Sequence, residues 1–142
     1  MSEYEMNKVI FAYDSEEDAF PNTDPGVRPF GSRVLVQFRQ AKMKTKGGII
    51  LAGETRDTEV WNTQVAKVVA LGPLAFKNRN TMDLWPEGEW VKPGTYVRAP
   101  KYGGDRWGVT RENGDETLFC LFNDHDLLGE ITGDPLAMKA FL

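Results

Sequence analysis

Short runs of β-branched and aromatic residues alternate with glycine- and proline-containing turns along most of this chain. Such runs favour strands, and glycine and proline favour tight turns. Six runs are strand candidates: residues 33–39, 48–51, 63–71, 96–99, 107–110 and 117–122. No amphipathic helix separates them, and only residues 135–142 have helical character. The pattern predicts an all-β chain that folds as a small closed or partly closed barrel rather than a parallel sheet.

Residues 33–39 show the clearest strand pattern, because apolar and polar side chains alternate with a period of two. One face would carry Val34, Val36 and Phe38, and the other Arg33, Gln37 and Arg39. This alternation predicts a half-buried strand whose polar face meets solvent.

The net charge of −4 is unevenly distributed along the 142 residues. Residues 1–28 carry −5, and residues 29–142 carry +1. An acidic chain of this kind is not expected to bind nucleic acid by neutralising phosphates. We interpret residues 1–28 as an acidic extension on a nearly neutral body. It is either a solvated tail or, through apolar residues 9–13, a segment that adds a strand to the body.

The chain has a single cysteine, Cys120, and a single histidine, His125. These residues are too few for a disulfide framework or a structural zinc site, so no metal is expected. Cys120 lies in the most apolar run, where burial disfavours the reactive thiolate, and His125 has no nucleophile near it in sequence. We therefore expect no catalytic residue and no enzyme activity.

No apolar stretch approaches the ~20 residues that a membrane-spanning helix needs. The acidic start is also unlike a signal peptide. These features predict a cytoplasmic protein without a membrane partner.

The long polar connection over residues 40–63 contains one compact apolar group, Gly47-Gly48-Ile49-Ile50-Leu51. Apolar side chains in such a place either pack on the protein's own core or insert into a partner's groove. Burying three of them contributes roughly 5–8 kcal/mol, whereas ordering a segment costs ~2–5 kcal/mol. A single segment would bind weakly, so a binder of this design needs several segments on one assembly.

Four segments, in order, resemble the GroES-type co-chaperonins, the lids of the large chaperonin rings. They are residues 29–36, 44–51, 66–72 and 91–97, and the second ends like the family's mobile-loop signature Gly-Gly-Ile-aliphatic-Leu. Residues 118–131 are similar to the family's closing strand. Ser32 and Thr95 depart from the family pattern, which has aspartate at both positions.

The resemblance implies a GroES-like irregular β-barrel over residues 29–131, with a mobile loop at about 40–62 and a roof hairpin at about 73–91. Residues 1–28 would be an N-terminal extension and residues 132–142 a C-terminal tail. The implied function is to cap a GroEL-type chaperonin ring and assist ATP-dependent folding of an unfolded client protein. The implied assembly is a homo-heptamer that binds no cofactor itself, since the chaperonin binds the ATP.

The resemblance also implies roles for individual residues. The chaperonin-binding set would be Gly47, Gly48, Ile49, Ile50 and Leu51. Strands near the chain's two ends would pair between neighbouring subunits through Arg33, Val34, Val36, Leu118 and Leu121. Trp107 matches a position that faces the folding chamber, although a tryptophan there could equally belong to the barrel core.

Several departures are typical of an enlarged, divergent lid. The loop and roof regions are longer than usual, and residues 78–80, Trp85 and Trp90 replace the usual roof sequence. The chain thus resembles the co-chaperonins encoded by some bacteriophages, which would make a viral capsid protein its client. The alternative is a structural or interaction module with Ile49, Ile50 and Leu51 packed internally.

Overall fold

The computed structural model describes residues 13, 15–40 and 64–138. Six strands form one antiparallel sheet in the order β4-β5-β1-β2-β3-β6. The strands are β1 (Arg33–Phe38), β2 (Val65–Leu71), β3 (Tyr96–Arg98), β4 (Asp105–Thr110), β5 (Glu116–Asn123) and β6 (Gly129–Glu130). The helical elements of the described residues are the short α1 (Glu16–Ala19) and a 3-10 turn (Asp124–Asp126). The all-β prediction is therefore confirmed.

Five of the six predicted runs form strands whose bounds agree within two residues. The sixth, residues 48–51, lies outside the described residues. The short β6 was not predicted. It exists because Glu130 and Gly129 pair with Val97 and Arg98 of β3, a long-range contact that leaves no mark on local residue preference.

The strand β1 lies inside the sheet, paired with β2 on one side and β5 on the other. Its main-chain donors and acceptors are therefore used within one chain, and the same holds for β5, which lies between β1 and β4. The predicted pairing of these strands between neighbouring subunits is wrong for this reason. Of the residues assigned to that contact, Val34, Val36 and Leu118 are buried in the chain's own core, Leu121 is half-buried and Arg33 is exposed.

The main core contains the predicted apolar face of β1. Val34, Val36 and Phe38 are buried among residues of β2, β3 and β5, and Phe38 meets Phe122 edge to face at 6.2 Å between ring centroids. Cys120 belongs to the same core, where burial raises the pKa of its thiol to about 12. This burial agrees with the expectation that the reactive thiolate of Cys120 is disfavoured.

The opposite face of β1 is buried as well except at Arg33, which corrects the prediction of a half-buried strand. Gln37 and Arg39 are both inaccessible to solvent. The cover comes from the N-terminal extension: Ala19, Phe20 and Pro21 are buried, and the Gln37 side-chain amide donates to the Pro21 carbonyl at 2.7 Å. The interpretation of a solvated tail is therefore wrong for this part of the extension.

The C-terminal tail forms a single turn over residues 135–137 rather than the predicted helix, as far as the described residues reach. The Asp134 carboxylate accepts a hydrogen bond from the Leu136 N–H at 2.9 Å. The carbonyls of Pro135 and Met138 accept hydrogen bonds from the Arg39 guanidinium. Within the described part of the chain, no helix is long and apolar enough to cross a membrane.

Candidate functional site

The five residues predicted to bind a partner, Gly47, Gly48, Ile49, Ile50 and Leu51, lie outside the described residues. The structure does describe both ends of the segment that contains them, residues 41–63. The segment follows Gln40, just after β1, and precedes Gln64, just before β2. The Arg39 N–H donates to the Val65 carbonyl at 2.9 Å, so the two ends lie side by side at one end of the β1–β2 pair. We call this end of the pair the loop base.

Gln40 is held at the loop base by three hydrogen bonds. Its N–H donates to the Ala19 carbonyl at 2.7 Å, and its carbonyl accepts from the Tyr13 hydroxyl at 2.6 Å. Its side-chain amide donates to the Glu116 carbonyl at 2.7 Å. Two of these three partners belong to the N-terminal extension, which therefore fixes the last described residue before the segment.

Arg39, the neighbour of Gln40, is only 2% exposed. Its guanidinium donates to the Pro135 carbonyl at 3.0 Å and also to the Met138 carbonyl. It also lies over the Tyr13 ring, 5.2 Å from the centroid. A buried arginine needs such partners because an unpaired charge in the interior is costly. Arg39 thus connects the loop base to both chain extensions.

A second apolar cluster covers the β2 side of the loop base. Its buried members are Ala19, Phe20, Val65 and Ile131, with Tyr13, Tyr96, Leu136 and Met138 packed against them. The Phe20 and Tyr96 rings are tilted with centroids 5.1 Å apart. The cluster therefore joins the extension, the tail and the sheet.

Glu16 adds a polar contact at the edge of this cluster. Its carboxylate accepts a hydrogen bond from the Tyr96 hydroxyl and forms an ion pair with Lys67 Nζ at 3.3 Å. The Tyr96 bond and then the Lys67 contact lower the pKa of Glu16, while burial and the bond to Glu16 raise the pKa of Tyr96. The ionised form of Glu16 is thus favoured when the extension is docked.

We expect this contact to stabilise the fold above the ordinary pKa of Glu16 and to be lost as the pH falls through its lowered folded-state value. The effect on the free energy of unfolding is small, roughly 0.2–1 kcal/mol, because the pair lies at the surface. Denaturant unfolding of the Glu16→Gln variant and the unchanged chain checks this. The stability difference should disappear between neutral and acidic pH, and a difference independent of pH would contradict the prediction.

The predicted roof region contains a short hairpin with one bridge, between Lys77 and Leu84. Its base is an aromatic group of Phe76, Trp85 and Trp90, with centroids 5.0–5.8 Å apart. Phe76 has a left-handed backbone, with φ of 61°, and its N–H donates to the buried Asp124 carboxylate at 2.9 Å. This bond ties the hairpin to the barrel.

Trp107 lies on β4 and is half-buried. Its indole N–H donates to the Pro25 carbonyl at 3.0 Å, and its ring stacks on Phe119 with centroids 5.9 Å apart. Trp107 is therefore not a member of the main core, and the extension covers part of it. Its predicted place facing a folding chamber stays a prediction.

The open edges of the sheet were not predictable from the strand pattern. Among the described strands, β4 and β6 have only one neighbour each. Leu128 beside β6 is 64% exposed, and Phe30, before β1, is 68% exposed. The adjacent leucines at 127 and 128 could have indicated an exposed apolar side chain here, since successive side chains of a strand point to opposite faces. Leu127 is buried and Leu128 is not.

Comparison with known proteins identifies the family. The sequence model of the family described as the chaperonin 10 kDa subunit matches residues 26–131, a range that contains the entire sheet. The chain belongs to this family. The resemblance to the GroES-type co-chaperonins is therefore confirmed, with a match that begins three residues before the predicted barrel boundary at residue 29.

Individual members of the co-chaperonin family match over nearly their full length. The Co-chaperonin GroES of Methylacidiphilum infernorum is 34% identical over 110 residues, covering 78% of this chain and 98% of that protein. The mitochondrial 10 kDa heat shock protein of Saccharomyces cerevisiae is 35% identical over 106 residues, covering 75% of this chain and 89% of that protein. The Co-chaperonin GroES of Clostridium beijerinckii is 32% identical over 102 residues, covering 72% of this chain and 94% of that protein.

The range that matches the co-chaperonin family does not include everything at the loop base. Residues 41–63 lie inside it, as do Arg39 and Gln40. Four of the groups that hold these two residues, on Tyr13, Ala19, Pro135 and Met138, lie outside it. The loop base therefore combines the family's barrel with two extensions of this chain.

Proposed function

We propose that this protein is a co-chaperonin that caps a GroEL-type chaperonin ring and assists ATP-dependent protein folding. The observation that carries the proposal is the family match over residues 26–131, which contains both the complete sheet and the Gly47–Leu51 signature. The chaperonin binds the ATP, and this chain contributes no cofactor and no catalytic residue. Its contribution is reversible docking.

The docking group is Ile49, Ile50 and Leu51, preceded by Gly47 and Gly48. The loop base supports this assignment because it joins both ends of segment 41–63 to adjacent strands of a rigid sheet. Three aliphatic side chains inserted into an apolar groove give a modest gain per segment, and a ring of copies makes the sum large. Binding is then tight as a whole and reversible at each contact.

A homo-heptamer needs a contact between copies, and the structure favours a different one from that predicted. The open edge at β6 adjoins exposed Leu128 and a groove of about 400 Å³ with Trp90 in its wall and Glu87, Glu89 and Glu130 among its lining residues. Arg28 and exposed Phe30 offer complementary charge and apolar surface from a second copy. We therefore place the ring contact between the segment before β1 of one copy and the β6 edge of the next.

This contact predicts that Leu128→Glu dissociates the ring. Each contact would lose roughly 1.5–3 kcal/mol of apolar burial and would gain a carboxylate beside Glu130. Native mass spectrometry at micromolar concentration should show the heptamer for the unchanged chain and monomer for the variant. Tyr102→Glu, at another exposed site, is the matched control. A heptamer that survives in Leu128→Glu would contradict the proposed contact.

The proposed function is tested by refolding a denatured client that requires a chaperonin. The yield should rise when this protein is added to the chaperonin with ATP, and it should not rise when either the chaperonin or ATP is omitted. No increase under any condition would favour the alternative of a barrel module without chaperonin binding. That the natural client is a viral capsid protein stays a prediction, and the same assay with such a protein as the client tests it.

A further inference from the structure

We propose that the N-terminal extension and the C-terminal tail form a clasp on the loop base, and that this clasp sets how tightly segment 41–63 binds a chaperonin. The clasp consists of residues 13–21 as far as they are described and residues 134–138. The inference rests on the proposed function, because it concerns the affinity of the same segment. It assigns a role to residues outside the family range of 26–131.

The first support is that both extensions converge on the two residues before the segment. Tyr13 and Ala19 bind the main chain of Gln40, at 2.6 and 2.7 Å. Pro135 and Met138 accept hydrogen bonds from the Arg39 guanidinium. Main-chain bonds to Gln40 restrict its backbone directly, so the start of the segment is fixed by groups that are distant in sequence.

The second support is that the same extensions also cover the strand after the segment. Phe20 and Leu136 pack in the cluster that contains Val65, the first residue of β2. Glu16 reaches Lys67 of the same strand. The clasp therefore contacts both ends of segment 41–63, and the Arg39–Val65 hydrogen bond lies between them.

A fixed base favours binding because a segment with fewer accessible conformations loses less entropy when it docks. Without the clasp, Arg39 and Gln40 would lose their anchoring contacts, and the anchored ends would move back into β1 and β2. Lengthening a loop weakens closure gradually, by about threefold for each doubling in length. Freeing two residues at each end weakens each segment by only about 1.3-fold, so the loss for a ring of seven copies should be about fivefold.

The test uses point variants of the full chain. Phe20→Ala removes the ring that joins the extension to Tyr96, and Tyr13→Phe removes only the hydroxyl that binds Gln40. Trp107→Phe is the matched control, because it breaks a bond between the same extension and the sheet at β4, two strands from β1. Amide hydrogen exchange at Gln40 reports opening of the loop base, and exchange at Leu35 reports opening of the central strand β1. Titration with a chaperonin ring and nucleotide gives the affinity.

We expect Phe20→Ala to accelerate exchange at Gln40 but not at Leu35 and to weaken chaperonin binding about fivefold. Tyr13→Phe should change both readouts in the same direction by a smaller factor, and it keeps the test valid if Phe20→Ala does not fold. Trp107→Phe should change neither. A merely structural role would lower stability without altering the affinity of the folded protein.

The clasp proposal is overturned if exchange at Gln40 rises in these variants and the affinity does not change, or if exchange at Gln40 does not rise. Failure of the proposed function looks different, because then the unchanged chain does not bind the chaperonin at all. The triple serine variant at Ile49, Ile50 and Leu51 separates the two cases. It should lose binding while its Gln40 exchange stays as in the unchanged chain.

Discussion

Replacing Ile49, Ile50 and Leu51 with serine is expected to abolish capture of this protein by a chaperonin ring. The three aliphatic side chains supply roughly 5–8 kcal/mol of apolar burial per segment, and serine supplies almost none. Because several segments bind together, the loss is multiplied across the ring and should exceed about 1,000-fold in affinity. Co-sedimentation of the variant with a chaperonin in the presence of ATP measures it.

A matched variant controls for disturbance of the segment itself. Thr55, Arg56 and Thr58 lie in the same segment, and replacing these three polar residues with serine leaves the apolar group intact. This control should be captured like the unchanged chain. Circular dichroism of both variants should show the same sheet. Full capture of the variant with serine at positions 49, 50 and 51 would show that the apolar group is not the docking element.

The largest stability effect is expected from Gly72→Ala. A Cβ at this position would lie 2.2 Å from the Gly31 carbonyl oxygen and 3.0 Å from that of Arg33. Both atoms belong to the main chain, so neither can rotate away. The Gly72 N–H also donates to the Arg33 carbonyl at 2.8 Å, which holds the end of β2 against the start of β1. The substitution must separate these strands, at a cost of about 3 kcal/mol or more.

Gly133→Ala is the control for Gly72→Ala, since no atom lies within 4 Å of a Cβ built there. Denaturant unfolding of the two variants compares their free energies of unfolding. Gly133→Ala should stay within about 0.5 kcal/mol of the unchanged chain. Equal stability of the two variants would mean that the close approach of Gly31 and Gly72 is not maintained in solution.

The strands were predictable because their signals are local. The alternation of Val34, Val36 and Phe38 defined the inward face of β1, and the burial of all three agrees with it. What the alternation could not show is which strands pair. The same pattern serves a central strand and a strand at a subunit contact, so β1 and β5 were assigned between subunits although they pair within one chain.

The second face of β1 was not predictable from its own residues. Gln37 and Arg39 are polar, and polar residues at alternate positions indicate solvent. They are buried because Pro21 accepts from Gln37, and Pro135 accepts from Arg39, across 16 and 96 positions of sequence. Contacts of this kind depend on where two extensions meet, which the local pattern of either one does not contain.

The candidate site likewise has a part that is encoded locally and a part that depends on contacts between distant residues. The docking group could be predicted from the sequence because an aliphatic tripeptide after two glycines is unusual in a polar connection. The contacts that hold the two ends of its segment were not predictable, because the loop base is assembled from five separate parts of the chain around Gln40 and Arg39. The sequence thus predicts the binding group, and the structure adds the contacts that hold the described residues on either side of its segment.

Size-exclusion chromatography of the full chain with a GroEL-type chaperonin tests the central claim most directly. With ATP present, the chain should elute with the chaperonin ring, and without nucleotide it should elute separately as its own smaller assembly. The capped complex should contain one heptamer of this protein on a ring. Separate elution with ATP at micromolar concentrations of both proteins would contradict the assignment of this chain as a chaperonin lid.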